Sequence, residues 1–146
     1  MRVVVACGGL SREREISLKT GRGVHAALLE RGIDAVLVEL KEHRPDSILA
    51  QVPDAVFLAL HGRYGEDGTL TRELLARGIP TTGCLPEVCA LAMDKIQTRL
   101  VLEAAGIAVA RGGRYENARH SATNLPGGIH WPIVIKPSCE GSSIGI

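Results

Sequence analysis

A glycine- and serine-rich segment near residue 140 has the composition of a loop that binds phosphate. Lys136 precedes Gly141, Ser142 and Ser143 by a few residues. Small residues let backbone N–H groups approach phosphate oxygens, hydroxyls add donors, and the lysine adds a point charge. The order differs from a Walker A loop, in which the lysine follows the glycines. A triphosphate-binding loop and the glycine-serine turn of a hairpin are both compatible with this composition.

A second candidate site combines acidic residues with the start of a predicted helix. Gly8 and Gly9 end an apolar run and are followed by Ser11, Glu13 and Glu15. N–H groups at a helix N-terminus attract a carboxylate or phosphate, and a nearby glutamate can hold an ammonium group. This pairing suits a zwitterionic ligand. The same acids also suit the ordinary solvated first turn of a helix.

Two further side chains could reach a ligand. His61 follows an apolar run and is flanked by glycines, so its ring can project into a cleft or serve as a structural residue. Lys95 opens a predicted helix, where a cation is unfavourable unless an anion or solvent surrounds it. Glu66 and Asp67 lie just before another predicted helix. Capping of that helix is the role we expect for both.

Buried strands alternate with helices along the first part of the chain. Short apolar runs predict strands at 3–7, 35–38 and 55–60. This alternation is typical of an α/β fold with a Rossmann-like open parallel sheet, in which ligands bind outside the carboxyl ends of the strands. The glycine-bearing loops after Cys7 and Leu60 should therefore converge on one edge of the sheet.

Helical spacing of apolar residues predicts the helices. One begins after Ser11 and ends at Gly32, and another covers 93–105. The apolar residues along one side of the first helix are Ile16, Val24, Ala27 and Leu28. A last apolar run at 132–136 predicts one more strand. These elements place a domain boundary near residue 93.

Composition and charge narrow the class of function. The 146-residue chain has a net charge of +1 and 3% aromatic residues, so it offers neither a basic field nor stacking platforms for nucleic acid. It has no apolar stretch of membrane-spanning length and no signal sequence, so we expect a cytoplasmic protein without a membrane partner. The four cysteines lack zinc-site spacing and are expected to be buried free thiols.

The order and spacing of these motifs resemble the D-alanine–D-alanine ligase family of the ATP-grasp superfamily. The matching stretches are 8–17, 60–69, 93–95 and 136–145, of which HGRYGEDGT at 61–69 is the most specific. The resemblance implies a pre-ATP-grasp α/β domain over 1–92, followed by the truncated beginning of the central ATP-grasp domain over 93–146.

The resemblance also implies roles for the candidate residues. Glu13 and Ser142 would be catalytic residues. Glu13 would also bind substrate, since it would hold the ammonium of the first D-alanine and hydrogen-bond toward Ser142. His61 would lie beside the carboxylate of that substrate. The family reaction phosphorylates the carboxylate of one D-alanine to an acyl phosphate, and the amine of a second D-alanine then displaces phosphate. The product, D-alanyl-D-alanine, is a precursor of peptidoglycan.

On the nucleotide side, the resemblance implies that Lys95 and Lys136 contact the phosphates of ATP under a loop that contains Ser142 and Ser143. Mg²⁺ or Mn²⁺ would serve the same phosphates, but no acidic cluster able to bind it occurs over 93–146. We therefore expect the metal ligands and the second-substrate site to lie downstream. The chain as given is expected to be inactive.

The resemblance further implies a homodimer through the N-terminal domain, with the Leu70 to Leu75 face as one candidate surface. Two positions depart from the family pattern: Leu10 stands where a polar residue is frequent, and Cys139 where a basic residue is frequent. Two alternatives remain open. One is a non-catalytic α/β module that binds an amino acid, and the other is a different ATP-grasp carboxylate-amine ligase, which should not need HGRYGEDGT.

Overall fold

The computed structural model describes residues 1–116, 124–141 and 145–146, and a parallel sheet organises the first part of them. Its strands are β1 (Arg2–Gly8), β2 (Asp34–Leu40) and β3 (Ala55–Leu58), in the order β2-β1-β3. The central strand β1 pairs in parallel with both neighbours. The predicted α/β fold with an open parallel sheet is confirmed.

Helices follow the strands in chain order. They are α1 (Arg14–Glu30), α2 (Asp46–Leu49), α3 (Thr69–Leu75), α4 (Pro86–Met93) and α5 (Lys95–Ala104). A short 3-10 turn covers Pro126–Gly128. Within the described ranges, none of the helices is long and apolar enough to cross a membrane.

Both faces of β1 are buried. Successive side chains of a strand point to opposite sides of the sheet, and a separate core covers each side. Val4 and Ala6 join a core that includes Leu70 and Leu74 of α3. Cys7 joins a second core beneath α1. A strand covered on both faces needs an uninterrupted apolar sequence, and this explains the Val-Val-Val-Ala-Cys run.

The inward side of α1 differs from the prediction. The sequence places Ile16 on the apolar side of the helix, but it is 59% exposed, and the buried residues of the helix are Ser17, Leu18 and Gly21. Residues two positions apart in a helix are separated by about 200° of rotation about its axis, so Ile16 and Leu18 cannot share a face. Gly21 is required at this contact, because a Cβ there would lie 2.5 Å from the Cβ of Cys7.

The candidate dimer surface on α3 is also wrong. Leu70 and Leu74 are fully buried in the core of their own chain, and of the three leucines of this helix only Leu75 is exposed. Their spacing places both leucines on the face of α3 that covers the sheet. These leucines therefore stabilise the fold of their own chain rather than a contact with a second copy.

The chain divides into two compact units, Met1–Ala90 and Leu91–Ile146. Their assignment to a pre-ATP-grasp domain and the opening of a central domain stays a prediction. In the second unit the predicted helix begins at Lys95, because the side chain of Asp94 accepts hydrogen bonds from the N–H groups of Ile96 at 2.9 Å and Gln97 at 3.2 Å.

The predicted strand at 132–136 is wrong. These residues form no ladder with any described segment, and Val134 and Ile135 are largely exposed. An apolar run becomes a strand only where another strand satisfies its N–H and C=O groups. Hydrophobicity alone could not reveal whether such a partner is present.

Candidate functional site

The HGRYGEDGT loop follows β3 and is held by its own acidic side chains. Asp67 accepts hydrogen bonds from the N–H groups of Tyr64 at 3.0 Å and Thr69 at 2.9 Å. Glu66 instead turns back and accepts the N–H of Gly62 at 2.8 Å. Asp67 thus binds an N–H of the first turn of α3, as predicted, whereas Glu66 does not cap that helix. The N-cap residue itself is Gly68.

Asp67 is stabilised in its ionised form. Burial by itself would raise the pKa of this carboxyl, but the hydrogen bonds from Tyr64 and Thr69 outweigh it, and the net pKa is lowered. An ionised carboxylate accepts from two amides at once. Asp67 therefore fixes the turn that leads into α3.

Tyr64 anchors the loop to the core and was not identified from the sequence. It is buried despite a left-handed backbone with a φ of 70°, and its ring stacks on His43 with 5.0 Å between centroids. Its hydroxyl donates to Glu73 at 3.1 Å. Burial and this carboxylate raise the pKa of Tyr64 above its usual range, so the phenol stays protonated and has a structural role.

The loop after β1 meets the loop after β3 at Glu13. This half-buried residue occupies the N-cap position of α1, and its N–H donates to the hydroxyl of Ser11 at 3.2 Å. A Cβ added to Gly62 would lie 3.2 Å from the Oε2 atom of Glu13. The carboxyl ends of β1 and β3 therefore place Glu13 beside the loop that carries His61. This is the convergence expected of an open parallel sheet.

His61 lies between the loop and α1. Its Nδ1 atom is 3.3 Å from Glu66 Oε1, and its Nε2 atom is 3.5 Å from the hydroxyl of Thr20. The side chain is 28% exposed, so one part of the ring is open to solvent. The ring is both hydrogen-bonded within the protein and accessible, which are the properties of a positioned ligand contact.

Ser17 connects the two strand ends behind Glu13 and His61. Its buried hydroxyl accepts the N–H of Gly8 at 2.8 Å and donates to the carbonyl of Ala59 at 2.6 Å. The sequence carried a signal for this role, because helical spacing places the polar Ser17 on the same side of α1 as Val24 and Leu28, which pack against the core. A polar group at such a position needs a buried hydrogen-bond partner.

We expect Ser17→Ala to lower the free energy of unfolding by about 2 kcal/mol, since the buried N–H of Gly8 loses its acceptor. Urea denaturation of the chain measures the change. Thr20→Ala is the matched control, because that hydroxyl is not fully buried and donates within its own helix to Ile16 O at 3.0 Å. Equal stability of the two variants would contradict a linking role for Ser17.

In the second unit, Lys95 and Lys136 line the same cleft. The cleft encloses about 910 Å³ between α5 and residues 109–115 and 125–138, and most of its wall is apolar. Lys95 Nζ donates to the carbonyl oxygens of Ser138, at 3.5 Å, and of Glu140. Its partners in the described structure are therefore backbone carbonyls rather than the anion that the sequence suggested. The volume is within the range of small-molecule sites.

Ser142 and Ser143 lie outside the described residues. Of the cysteines, Cys7 is a buried thiol, but Cys84 and Cys139 are exposed, so burial was predicted wrongly for these two, which lie in loops. Among residues 1–116, 124–141 and 145–146, no group of three or more His, Cys, Asp and Glu side chains could hold a metal ion.

Comparison with curated proteins identifies close relatives. A D-alanine–D-alanine ligase of Bordetella petrii is 43% identical over 147 residues, which cover 99% of this chain and 44% of the relative. The enzyme of the same name from Geobacter sulfurreducens is 44% identical, with 99% and 46% covered. The chain is a homologue of the D-alanine–D-alanine ligases. The resemblance inferred from four short motifs is thereby confirmed.

Solved D-alanine–D-alanine ligase structures share the fold. The Bacillus anthracis ligase complexed with ATP is 36% identical with a TM-score of 0.67, over 73% of this chain and 36% of that one. D-alanyl-alanine synthetase A from Vibrio cholerae is 28% identical with a TM-score of 0.63, over 73% and 38%. A comparison with protein-family models finds no match. The chain spans about half the length of the curated ligases that it matches.

Proposed function

We propose that the chain contributes the first-substrate site and part of the nucleotide site of an ATP-dependent ligase that joins two D-alanines. The observation that carries the proposal is the identity of 43% to a D-alanine–D-alanine ligase across 99% of the chain. The meeting of Glu13 and the His61 loop at one sheet edge supports it, because a zwitterion needs an anion and a polar donor close together.

The first D-alanine would be bound by groups of opposite charge. The carboxylate of Glu13 would hold the substrate ammonium, and His61 would contact the substrate carboxylate. Both residues follow strands of one rigid sheet, and Ser17 links the strand ends behind them. Their separation is therefore set by the fold, as orientation of the reacting carboxylate requires.

The phosphates of ATP would be bound in the cleft of the second unit. Lys95 and Lys136 are the cationic side chains of the cleft nearest the phosphate-loop sequence, and lysine ammonium groups suit phosphate oxygens. Ser142 and Ser143 would add hydroxyl donors. ATP supplies the phosphoryl group that activates the carboxylate of the first D-alanine, and the amine of the second D-alanine then displaces phosphate.

Several finer features belong to the same proposal. Mg²⁺ or Mn²⁺ would neutralise the charge of the ATP phosphates. The product D-alanyl-D-alanine would serve peptidoglycan synthesis in the cytoplasm. A homodimer would have to use a surface other than the buried Leu70 and Leu74 stripe.

The function is tested by dipeptide formation in the longest protein that the reading frame of this chain encodes, called here the encoded protein. With ATP, Mg²⁺ and D-alanine, mass spectrometry should detect D-alanyl-D-alanine and one phosphate per dipeptide. D-alanine binding that is independent of ATP, without any product, would instead favour an amino-acid-binding module. Product formed only with a different amine would favour another carboxylate-amine ligase.

Glu13→Gln in the encoded protein is expected to raise KM for the first D-alanine roughly 10- to 100-fold, because the ammonium loses a charged acceptor. Steady-state kinetics with varied D-alanine measures it. The matched control is Glu15→Gln: Glu15 is exposed and pairs with Arg14 at 2.6 Å in the same turn. A larger effect at Glu15 than at Glu13 would contradict the assignment.

A further inference from the structure

The carboxylate of Glu66 binds two groups of its own loop. Its Oε2 accepts the N–H of Gly62 at 2.8 Å, and its Oε1 lies 3.3 Å from His61 Nδ1. An ionised carboxylate can only accept hydrogen bonds, so Nδ1 must carry a proton for the second bond to form. The loop therefore selects one protonation pattern of the imidazole.

The second ring nitrogen of His61 has a weaker neighbour. Nε2 is 3.5 Å from the hydroxyl of Thr20, which donates its own proton to Ile16 O at 3.0 Å. Of the two groups that face the ring, the ionised carboxylate of Glu66 is a stronger acceptor than the hydroxyl of Thr20. In the neutral ring the single proton should therefore reside on Nδ1, and Nε2 is left to meet a ligand.

We propose that Glu66 is a positioning residue for His61, which holds the Nδ1 proton so that Nε2 becomes the substrate-facing atom. This inference rests on the proposed function and assigns a task within it. A D-alanine carboxylate at Nε2 requires a donor, so the ring would bind it as an imidazolium. Glu66 would balance that positive charge from the opposite side of the ring, and the bond to substrate would be charge-assisted.

Glu66→Gln tests the proposal because the amide of the substituted side chain should reverse the tautomer of His61. The N–H of Gly62 needs an acceptor, so the amide oxygen of the substituted side chain takes the place of Oε2. The amide NH₂ then faces Nδ1 and can only donate. Nδ1 must become the acceptor, and the proton moves to Nε2.

The tautomer is read by two-bond ¹⁵N–¹H correlation spectra of the 146-residue chain at about pH 8, above the ordinary imidazole pKa of about 6.5. His61→Asn identifies the His61 signals by their loss. We expect an Nδ1–H ring in the unmodified chain and in Thr20→Ala, and an Nε2–H ring in Glu66→Gln. His25 is the internal reference, because its Nε2 lies 3.1 Å from the carbonyl of Ala35 and must carry the proton in every variant.

In the encoded protein, Glu66→Gln should raise KM for the first D-alanine roughly tenfold with a smaller change in kcat, since the bond at Nε2 loses its charge assistance. An unchanged His61 tautomer in Glu66→Gln would overturn the proposal. A reversed tautomer with unchanged KM would also overturn it, because Nε2 would then not contact substrate. Failure of the unmodified encoded protein to form dipeptide would overturn the ligase function instead and would leave the spectra unaffected, so the two failures are distinguishable.

Discussion

Gly68→Ala is expected to lower the free energy of unfolding of the chain by roughly 3 kcal/mol or more. Gly68 has a φ of 83°, and a Cβ there would lie 2.3 Å from the carbonyl oxygen and 2.8 Å from the Cα of Pro86. These atoms belong to the backbone and cannot move aside by a change of rotamer. The substitution therefore combines left-handed strain with a steric clash that must displace the start of α4 or of α3.

Gly78→Ala separates the two effects. Gly78 has a φ of 73°, but an added Cβ would meet nothing within 4 Å. Only the left-handed strain remains, and we expect a loss of about 1 kcal/mol. Urea denaturation followed by circular dichroism measures both variants. Similar losses for the two would show that the approach of Pro86 to Gly68 is not a tight contact.

Lys136→Ala in the encoded protein is expected to lower kcat/KM for ATP roughly 100-fold or more. The side chain lines the cleft together with Lys95, and removal of one positioned cation from a phosphoryl-transfer site typically has an effect of this size. Phosphate release at varied ATP and saturating D-alanine measures the change. The expected loss falls on ATP more than on D-alanine, because Lys136 is assigned to the phosphates.

Lys19→Ala is the control for charge. Lys19 is an exposed residue of α1 and belongs to neither proposed site, so its substitution changes net charge by the same amount. Its kinetics should match those of the unmodified protein. Full ATP use in Lys136→Ala, or equal losses in both variants, would remove Lys136 from the nucleotide site.

The parallel sheet could be predicted because a strand that is buried on both faces has a recognisable sequence pattern. β1 is covered on both faces and reads as an unbroken apolar run, and the helix at Lys95 begins where Asp94 supplies a cap. Such local signals depend on a few neighbouring residues. The prediction of a strand at 132–136 was wrong because a strand needs a partner strand from elsewhere in the chain, and the composition of the segment does not reveal one.

The residues of the candidate site could be predicted from the sequence, but the hydrogen bonds between them could not. The sheet edge places Glu13 and the His61 loop together, as alternation of strands and helices implies. The hydrogen bond between His61 and Glu66 was missed because it depends on the path of the loop, and capping of α3 is the more frequent role for an acid at that position. In a glycine-rich loop, unlike a helix or strand, the spacing of residues along the sequence does not determine where their side chains point.

The HGRYGEDGT loop is held by hydrogen bonds to its own acidic side chains. The N–H groups of Gly62, Tyr64 and Thr69 donate hydrogen bonds to the carboxylates of Glu66 and Asp67, so donors and acceptors all lie within the loop itself. The loop is thus preorganised, and an incoming amino acid would meet a surface whose conformational entropy was already lost during folding. Affinity at this half of the site should then depend on the contacts made and little on ordering of the loop.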